Sequence, residues 1–252
     1  MVMKATGLKI DEAKFMNLSN FVFERKYDGS RTLFMNGKIV SDKRDGFKEK
    51  RYPQISQALN NLNAVLDGEL WVESDRVVEL SRTENWNEAK FIIFDILELN
   101  GQNLRALPLK ARREILEQQK FSPPIFVAEQ YKTFDEAWDL ANKENWEGLI
   151  AKDLSSPYLE KRSPYWFKLK RYSEAVVVID KLEQTDKQLH GTFICNDGNL
   201  NDIRVGSLST KYVDEYLKAV SEGKEVKAEI QYLNKTTNGH YFQPCLKRLL
   251  II

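Results

Sequence analysis

The chain has few of the residues that hold metals through sulfur or imidazole: two cysteines, Cys195 and Cys245, and two histidines, His190 and His240. The cysteines lie far apart and match no metal or redox spacing, so the simplest reading is two free thiols in an intracellular protein. Two histidines alone cannot build a histidine metal site. An excess of one charge is also missing, because 38 Lys and Arg face 37 Asp and Glu for a net charge of +1. That balance excludes a generally sticky basic protein, and any polyanion site must come from local clustering. No apolar run approaches the roughly 18 residues of a membrane span. The opening MVMKATGLKIDEAKF has no apolar core of signal-peptide length, which points to a soluble, cytoplasmic protein.

What is present supports folded cores. The 252 residues are 42% hydrophobic and 11% aromatic, enough for one large domain or two modest ones. Residues 21–46 read as a β-meander, FVFERK, RTLFMNG and KIVSDKRDG, with Asp28-Gly29 and Asn36-Gly37 as turn dipeptides. RYPQISQALNNL spaces Ile55, Leu59 and Leu62 for one helical face. AVLDGELWVE, KFIIFDILEL, PIFVAEQY, GLIAKD and YWFKLK read as strands, and 109–120 and 134–145 as helices. This is an α+β pattern with mostly antiparallel strands. After about residue 172, EAVVVIDKLE, HGTFICN, IRVGSL, VKAEIQYL and CLKRLLII supply five strands, with the helix KYVDEYLKAV before the fourth. That order and length suit a small OB-type Greek-key barrel. The expected organisation is therefore an antiparallel-sheet domain over 1–171 and an OB-fold domain over 172–252.

Several charged residues stand where an apolar strand should run on. Lys26 follows FVFER, Asp67-Gly68-Glu69 interrupts AVL and LWV, Asp95 closes FIIF, and Glu147 precedes GLIAK, which ends at Lys152. Lys168 and Lys170 alternate with Phe167 and Leu169, so a strand points both lysines to one face. Charged residues are rarely buried unless paired or functional. Two lysines on one face can hold a phosphate, and one or two carboxylates suffice for Mg2+. A lysine flanked by cations can be pushed toward its neutral, nucleophilic amine. Residues 161–171 hold Lys161, Arg162, Lys168, Lys170 and Arg171 and no acid, interleaved with Tyr165, Trp166 and Phe167.

This set, in this order, resembles the covalent nucleotidyltransferase superfamily, and most closely the ATP-dependent DNA ligases. The family's Lys-x-Asp-Gly-x-Arg is matched by Lys26, Asp28, Gly29 and Arg31. Its Asp-Gly-Glu is matched at 67–69, its aromatic motif by Phe94-Asp95, its Glu-Gly-φ-φ-x-Lys by Glu147 to Lys152, and its Lys-x-Lys by Lys168 and Lys170. The resemblance implies an adenylation domain followed by an OB domain, working as a monomer on nicked double-stranded DNA with ATP and Mg2+ or Mn2+. It makes Lys26 the nucleophile that forms a lysyl-AMP, with Asp28, Lys168 and Lys170 in the catalytic set; the two later lysines hold the α-phosphate and the leaving pyrophosphate. Glu24 would read the adenine amino group, Phe94 would stack on the base, Arg31 and Glu69 would hold the ribose, and Lys152 would complete the nucleotide site. Glu69 and Glu147 would place the metal, while Arg31 and Arg44 would face the phosphate of the nick.

Some features depart from the family pattern. The basic residue usual before the Pro of the sixth motif is replaced by Phe242, leaving Pro244 and Arg248 to align with it and Lys247 as a neighbour. The C-terminal segment also lacks the long insertion that minimal viral ligases use as a DNA-encircling latch. Competing readings are an RNA ligase of the same superfamily, an mRNA capping enzyme, whose fifth motif carries an Asp where Leu169-Lys170 stands here, and a nucleic-acid-binding protein with a degenerate transferase core.

Overall fold

The structure is a computed structural model that describes residues 2–13, 18–41, 51–73, 80, 86–184, 191–200, 202–236 and 238–252. The chain divides into two compact units, Met1–Lys170 and Arg171–Ile252. Among the described residues no helix is long and apolar enough to cross a membrane.

In the first unit the elements run β1 (Lys4–Gly7), α1 (Ile10–Ala13), β2 (Phe21–Arg25), β3 (Ser30–Met35), β4 (Lys38–Ser41), α2 (Pro53–Ala58), β5 (Ala64–Trp71), β6 (Lys90–Leu99), β7 (Gln102–Asn103), α3 (Leu109–Glu117), β8 (Ile125–Val127), α4 (Phe134–Lys143), β9 (Gly148–Asp153) and β10 (Arg162–Lys170). They build two sheets, one ordered β1-β10-β9-β2, the other β4-β3-β5-β6-β7 with β8 beside β6. The pairings are antiparallel except β1 with β10 and β6 with β8.

The meander expected over 21–46 is corrected at its first turn. Asn36-Gly37 does close a hairpin between β3 and β4, with both residues at positive φ. β2 and β3, however, belong to different sheets, because β2 pairs with β9 and β3 with β5. Asp28-Gly29 is a crossing between sheets, not a hairpin. A Cβ at Gly29 would run into Leu70 O and the Glu69 side chain, so only glycine lets the chain pass this close to β5. Lys26 thereby sits at the seam of the two sheets, its N–H donating to Gly148 O at 2.9 Å. Gly148 has the matching need, since a Cβ there would meet Leu169 O.

Strand alternation then sorts the faces. Phe23, Leu149, Ala151 and Leu169 turn outward and pack against Ala137 and Ala141 of α4. Leu66, Leu70, Phe91, Ile93 and Ile96 turn outward on the other sheet and form its core with Ile55 of α2 and Leu116 of α3. The inner faces meet at one end through Val22, Trp166, Val65 and Leu97. Farther along the same faces come Glu24, Lys168, Asp67 and Glu69. The space between the sheets thus grades from apolar and packed to charged and open.

In the second unit, β11 (Ser173–Glu183), β12 (Gly191–Asn196), β13 (Ile203–Leu208), α5 (Thr210–Ser221), β14 (Val226–Tyr232), β15 (Asn234–Lys235), β16 (Tyr241–Phe242) and β17 (Cys245–Ile251) follow. Five strands form one antiparallel sheet ordered β13-β12-β11-β14-β17, and β15 and β16 make a separate two-stranded ribbon. Val213 and Ala219 of α5 share the core with Val177, Phe193, Val205 and Ile230. Lys247 bonds to Glu174 at 2.7 Å and to Glu229 at 3.0 Å, and Arg248 also bonds Glu229. Both cysteines are free thiols, Cys195 buried and Cys245 exposed.

Candidate active site

A cavity of about 460 Å3 opens between the two sheets of the first unit. Its walls include Glu24, Lys26, Asp28, Arg31, Glu69, Phe94, Lys152 and Lys168, so eight residues singled out from sequence share one space. Lys170 and Glu147 stand beside it through Lys26: the Lys26 ammonium pairs with Glu147, and Lys170 reaches the other oxygen of that carboxylate at 3.6 Å. Arg44 lies outside the described residues.

The register explains the assembly. Glu24 on β2, Ile150 on β9 and Lys168 on β10 are neighbours in one row, and Gly148 and Lys170 form the next. Lys168 is held below the ordinary lysine pKa by burial and by the like charges of Lys170, Lys26 and Arg162. Glu147 is the counter-charge shared by Lys26 and Lys170. Such a cluster favours an anionic ligand, because added negative charge relieves the repulsion.

Deeper in the cavity the charges are tightly paired. Glu24 and Lys152 are each 2% exposed and meet at 2.6 Å. The second Glu24 oxygen accepts from Gln130 Nε2 at 2.9 Å. Burial lowers the Lys152 pKa, and Glu24 and Asp95 oppose that shift. Each carboxylate oxygen has two lone pairs, so Glu24, with one donor on each oxygen, keeps acceptor capacity for a further donor on either while its plane is fixed. Phe94 forms part of this wall, with Arg31 at 4.5 Å and Lys152 at 4.8 Å from the ring centre.

Arg31 is clamped by Asp67 through two bonds, 2.7 Å at Nε and 2.6 Å at Nη2. Burial works against its charge, and Asp67 more than offsets this, leaving its pKa above the usual value. Tyr158 OH donates to Asp67 at 2.6 Å and accepts from Met3 N at 3.0 Å, while Met3 O accepts from Arg31 at 3.2 Å. Burial and Asp67 push the Tyr158 pKa up. Gln130 and Tyr158 carried no signal in the sequence, because neither belongs to a motif. Asp95 points elsewhere: it is bound twice by Arg112 of α3 at 2.8 Å and holds the helix to β6.

Among the described residues no group of three or more His, Cys, Asp or Glu forms a ready metal cluster. Glu69 lines the cavity, and Glu147 stands beside it paired with Lys26 and Lys170; a Mg2+ ion asks for no more than one or two protein carboxylates and fills its shell with water and substrate phosphate.

Comparison with known proteins bears on the family and the fold. The sequence pattern described as the ATP dependent DNA ligase domain matches residues 2–170. The SPbeta prophage-derived DNA ligase-like protein LigB of Bacillus subtilis is 27% identical over 184 residues, covering 68% of each chain. The multifunctional non-homologous end joining protein LigD of Mycobacterium bovis is 31% identical over 176 residues, which is 65% of this chain and 23% of LigD. The chain therefore spans only a minor part of the LigD relative. A solved structure of a Lig E DNA ligase superposes with a TM-score of 0.74 at 14% identity, covering 99% of this chain and all of that one. The ligase domain of M. tuberculosis LigD superposes at 0.61 with 24% identity, covering 99% and 94%. At these identities the structural likeness shows the fold alone.

Proposed function

The chain belongs to the ATP-dependent DNA ligase family, and from that premise we propose that it seals nicks in duplex DNA with ATP, as a cytoplasmic monomer. In this reading residues 1–171 are the adenylation domain. Residues 172–252 are an OB-fold domain, supported by the five-strand order with α5 before β14.

The observation that carries the reading is the cavity in which Lys26, Lys168 and the paired Glu24–Lys152 face one another. Lys26 Nζ attacks the α-phosphorus of ATP; a P–N bond forms and the bond to pyrophosphate breaks. The crossing between sheets, which fixes the backbone at Lys26, supports this role, and in such a site much of the rate comes from positioning. Lys168 and Lys170 neutralise charge on the α-phosphate and the departing pyrophosphate. Glu24 accepts from the adenine amino group, Phe94 stacks on the base, and Arg31 and Glu69 hold the ribose, with Lys152 fixing Glu24 beneath. Asp28 holds the turn after the nucleophile, and Arg31, with Arg44, faces the nick phosphate. Glu69 and Glu147 would hold Mg2+ or Mn2+, which supplies positive charge for the polyphosphate. The 5′-phosphate of the nick then attacks the adenylate, breaking the P–N bond and freeing Lys26. Finally the 3′-hydroxyl attacks that 5′-phosphorus, and AMP leaves as the phosphodiester forms.

The test is sealing of a 5′-phosphorylated nicked duplex with ATP and Mg2+, using DNA or RNA on the 3′-hydroxyl side and single-stranded RNA as a separate substrate. The reading expects DNA nicks to be sealed and binding to weaken steeply with salt as counterions are released. Sealing of single-stranded RNA as fast as nicked DNA would contradict it.

A further inference from the structure

Lys26 has a neighbour in the sequence that no motif uses. Arg25 is the last residue of β2, and strand alternation turns its side chain away from the face that Glu24 and Lys26 share. There the guanidinium stands among three rings. Its Cζ lies 5.0 Å from the ring centre of Tyr27, 5.0 Å from that of Trp71 and 5.3 Å from that of Trp146. A guanidinium within about 6 Å of an aromatic face is attracted to it, most strongly where the ring is Trp. The rings come from three parts of the first unit: Tyr27 directly follows Lys26, Trp71 ends β5, and Trp146 stands just before β9. They are themselves held. Trp71 is buried with Ile92, Phe94 and Ala128, and Tyr27 meets it edge-on at 5.5 Å. Trp146, also buried, donates from its backbone to Ala141 O at 2.9 Å and from Nε1 to Glu144 at 3.0 Å.

These contacts stand back to back with the reactive pair. Arg25 meets Trp146, and the residues that follow each of them, Lys26 and Glu147, form the ion pair beside the cavity. Between the two contacts the Lys26 N–H donates to Gly148 O at 2.9 Å. The end of β2 is thus tied to the start of β9 on both faces. The ion pair has to open when the Lys26 amine turns to phosphorus, so it cannot hold the strand end during attack. The ring contacts of Arg25 can, because no reacting group takes part in them. We propose that Arg25 is a positioning residue: stacked among Tyr27, Trp71 and Trp146, it holds the end of β2 in register with β9 so that Lys26 keeps its line of attack. The inference rests on the reading of Lys26 as the adenylylation nucleophile. Arg25 acts through the backbone and not by contact with ATP, so its loss slows attack without weakening nucleotide binding.

The experiment uses the full chain and separates the steps. Single-turnover lysyl-AMP formation is followed over a range of ATP concentrations, and sealing of a nick that already carries AMP is measured separately. Both are run at a temperature where circular dichroism shows each variant folded. Arg25→Met keeps the length of the stem and removes the planar charge, whereas Arg25→Lys keeps a cation that can lie over the rings. Arg25→Met is expected to lower the rate of adduct formation at saturating ATP about ten- to a hundredfold, the scale of a small misplacement of a reacting group. The KM for ATP should change by less than about threefold, which marks a loss in the reacting step and not in binding. Sealing of the adenylated nick, in which the Lys26 amine makes no bond, should stay within about threefold of wild type. Arg25→Lys should recover part of the lost rate. The proposal is overturned if Arg25→Met forms the adduct within about twofold of the wild-type rate, if the loss appears in KM alone, or if both steps fall equally. It is also overturned if Arg25→Lys is as slow as Arg25→Met. A wild-type protein that forms no AMP adduct and seals no nick overturns the functional reading itself, and the positioning role with it.

Discussion

The two units treat charge in opposite ways. Among the described residues, the first unit buries Glu24, Asp67, Asp95, Arg112 and Lys152, whereas the second buries Glu229 alone among charged side chains. In the second unit Glu229 is answered by Lys247 and Arg248, which are 40% and 66% exposed. Its remaining described ion pairs have exposed members. The first unit thus spends stability on holding charges in place, because a buried ion is strongly disfavoured unless its partner and hydrogen bonds are all supplied. The second unit follows the ordinary rule of apolar inside and charged outside. The contrast supports the proposed role of the first unit: preorganised buried charge is what a phosphoryl-transfer site needs, and among the described residues of the second unit Glu229 is the one buried charge.

Substitutions can break that contrast, beginning with the largest effect. Lys26→Ala removes the nucleophile and is expected to reduce lysyl-AMP formation by about four orders of magnitude or more, or roughly 5 kcal/mol of barrier. Lys26→Arg should do the same, since a guanidinium stays protonated and does not attack. Single-turnover labelling with ATP measures both. Lys152→Met strands Glu24 in the interior, and urea unfolding should show a loss of about 3–5 kcal/mol, as for other buried pairs broken on one side. A stability near wild type would mean that water or a shift of Gln130 rescues the carboxylate.

A smaller effect is expected where a buried charge keeps its ion pair and loses only a neutral partner. Gln130→Leu removes one hydrogen bond to Glu24 and should raise the apparent KM for ATP about tenfold, the scale of a hydrogen bond to a charged group. It should also narrow the preference for ATP over inosine triphosphate, which lacks the amino group, while sealing of an adenylated nick stays unchanged. In the second unit, Lys247→Ala combined with Arg248→Ala should slow lysyl-AMP formation by about tenfold at most and lower melting modestly, because Glu229 loses both of its cations while lying closer to solvent than Glu24. Equal loss in adenylylation and in sealing of an adenylated nick would instead indicate a folding or DNA-binding defect.

Much of the candidate site was legible because a charge inside an apolar strand is conspicuous. Lys26, Asp67, Glu69, Lys152, Lys168 and Lys170 all interrupt or end such runs, and tertiary structure brings them together. What was not legible depended on partners far away in the chain. The Asp28-Gly29 dipeptide carries a strong local hairpin signal, yet the strands it joins find their partners at 149–153 and 66–70. Gln130 is 106 residues from Glu24, and Tyr158 is 91 from Asp67. Their sequence surroundings, AEQY and SPYL, read as ordinary strand and loop. β1 is short and polar enough to escape a periodicity reading, although it forms a wall of the cavity. In the second unit periodicity was sufficient, because burial alternates along β11 as it does in any half-exposed strand.

The account turns on which lysine carries the adenylate. The decisive measurement is incubation with ATP and Mg2+, then denaturation, proteolysis and mass spectrometric mapping of the bound AMP. The predicted result is a single acid-labile AMP on Lys26, discharged when nicked duplex is added. AMP on Lys152 or Lys168 instead, or nick sealing with no adduct at any lysine, would contradict it.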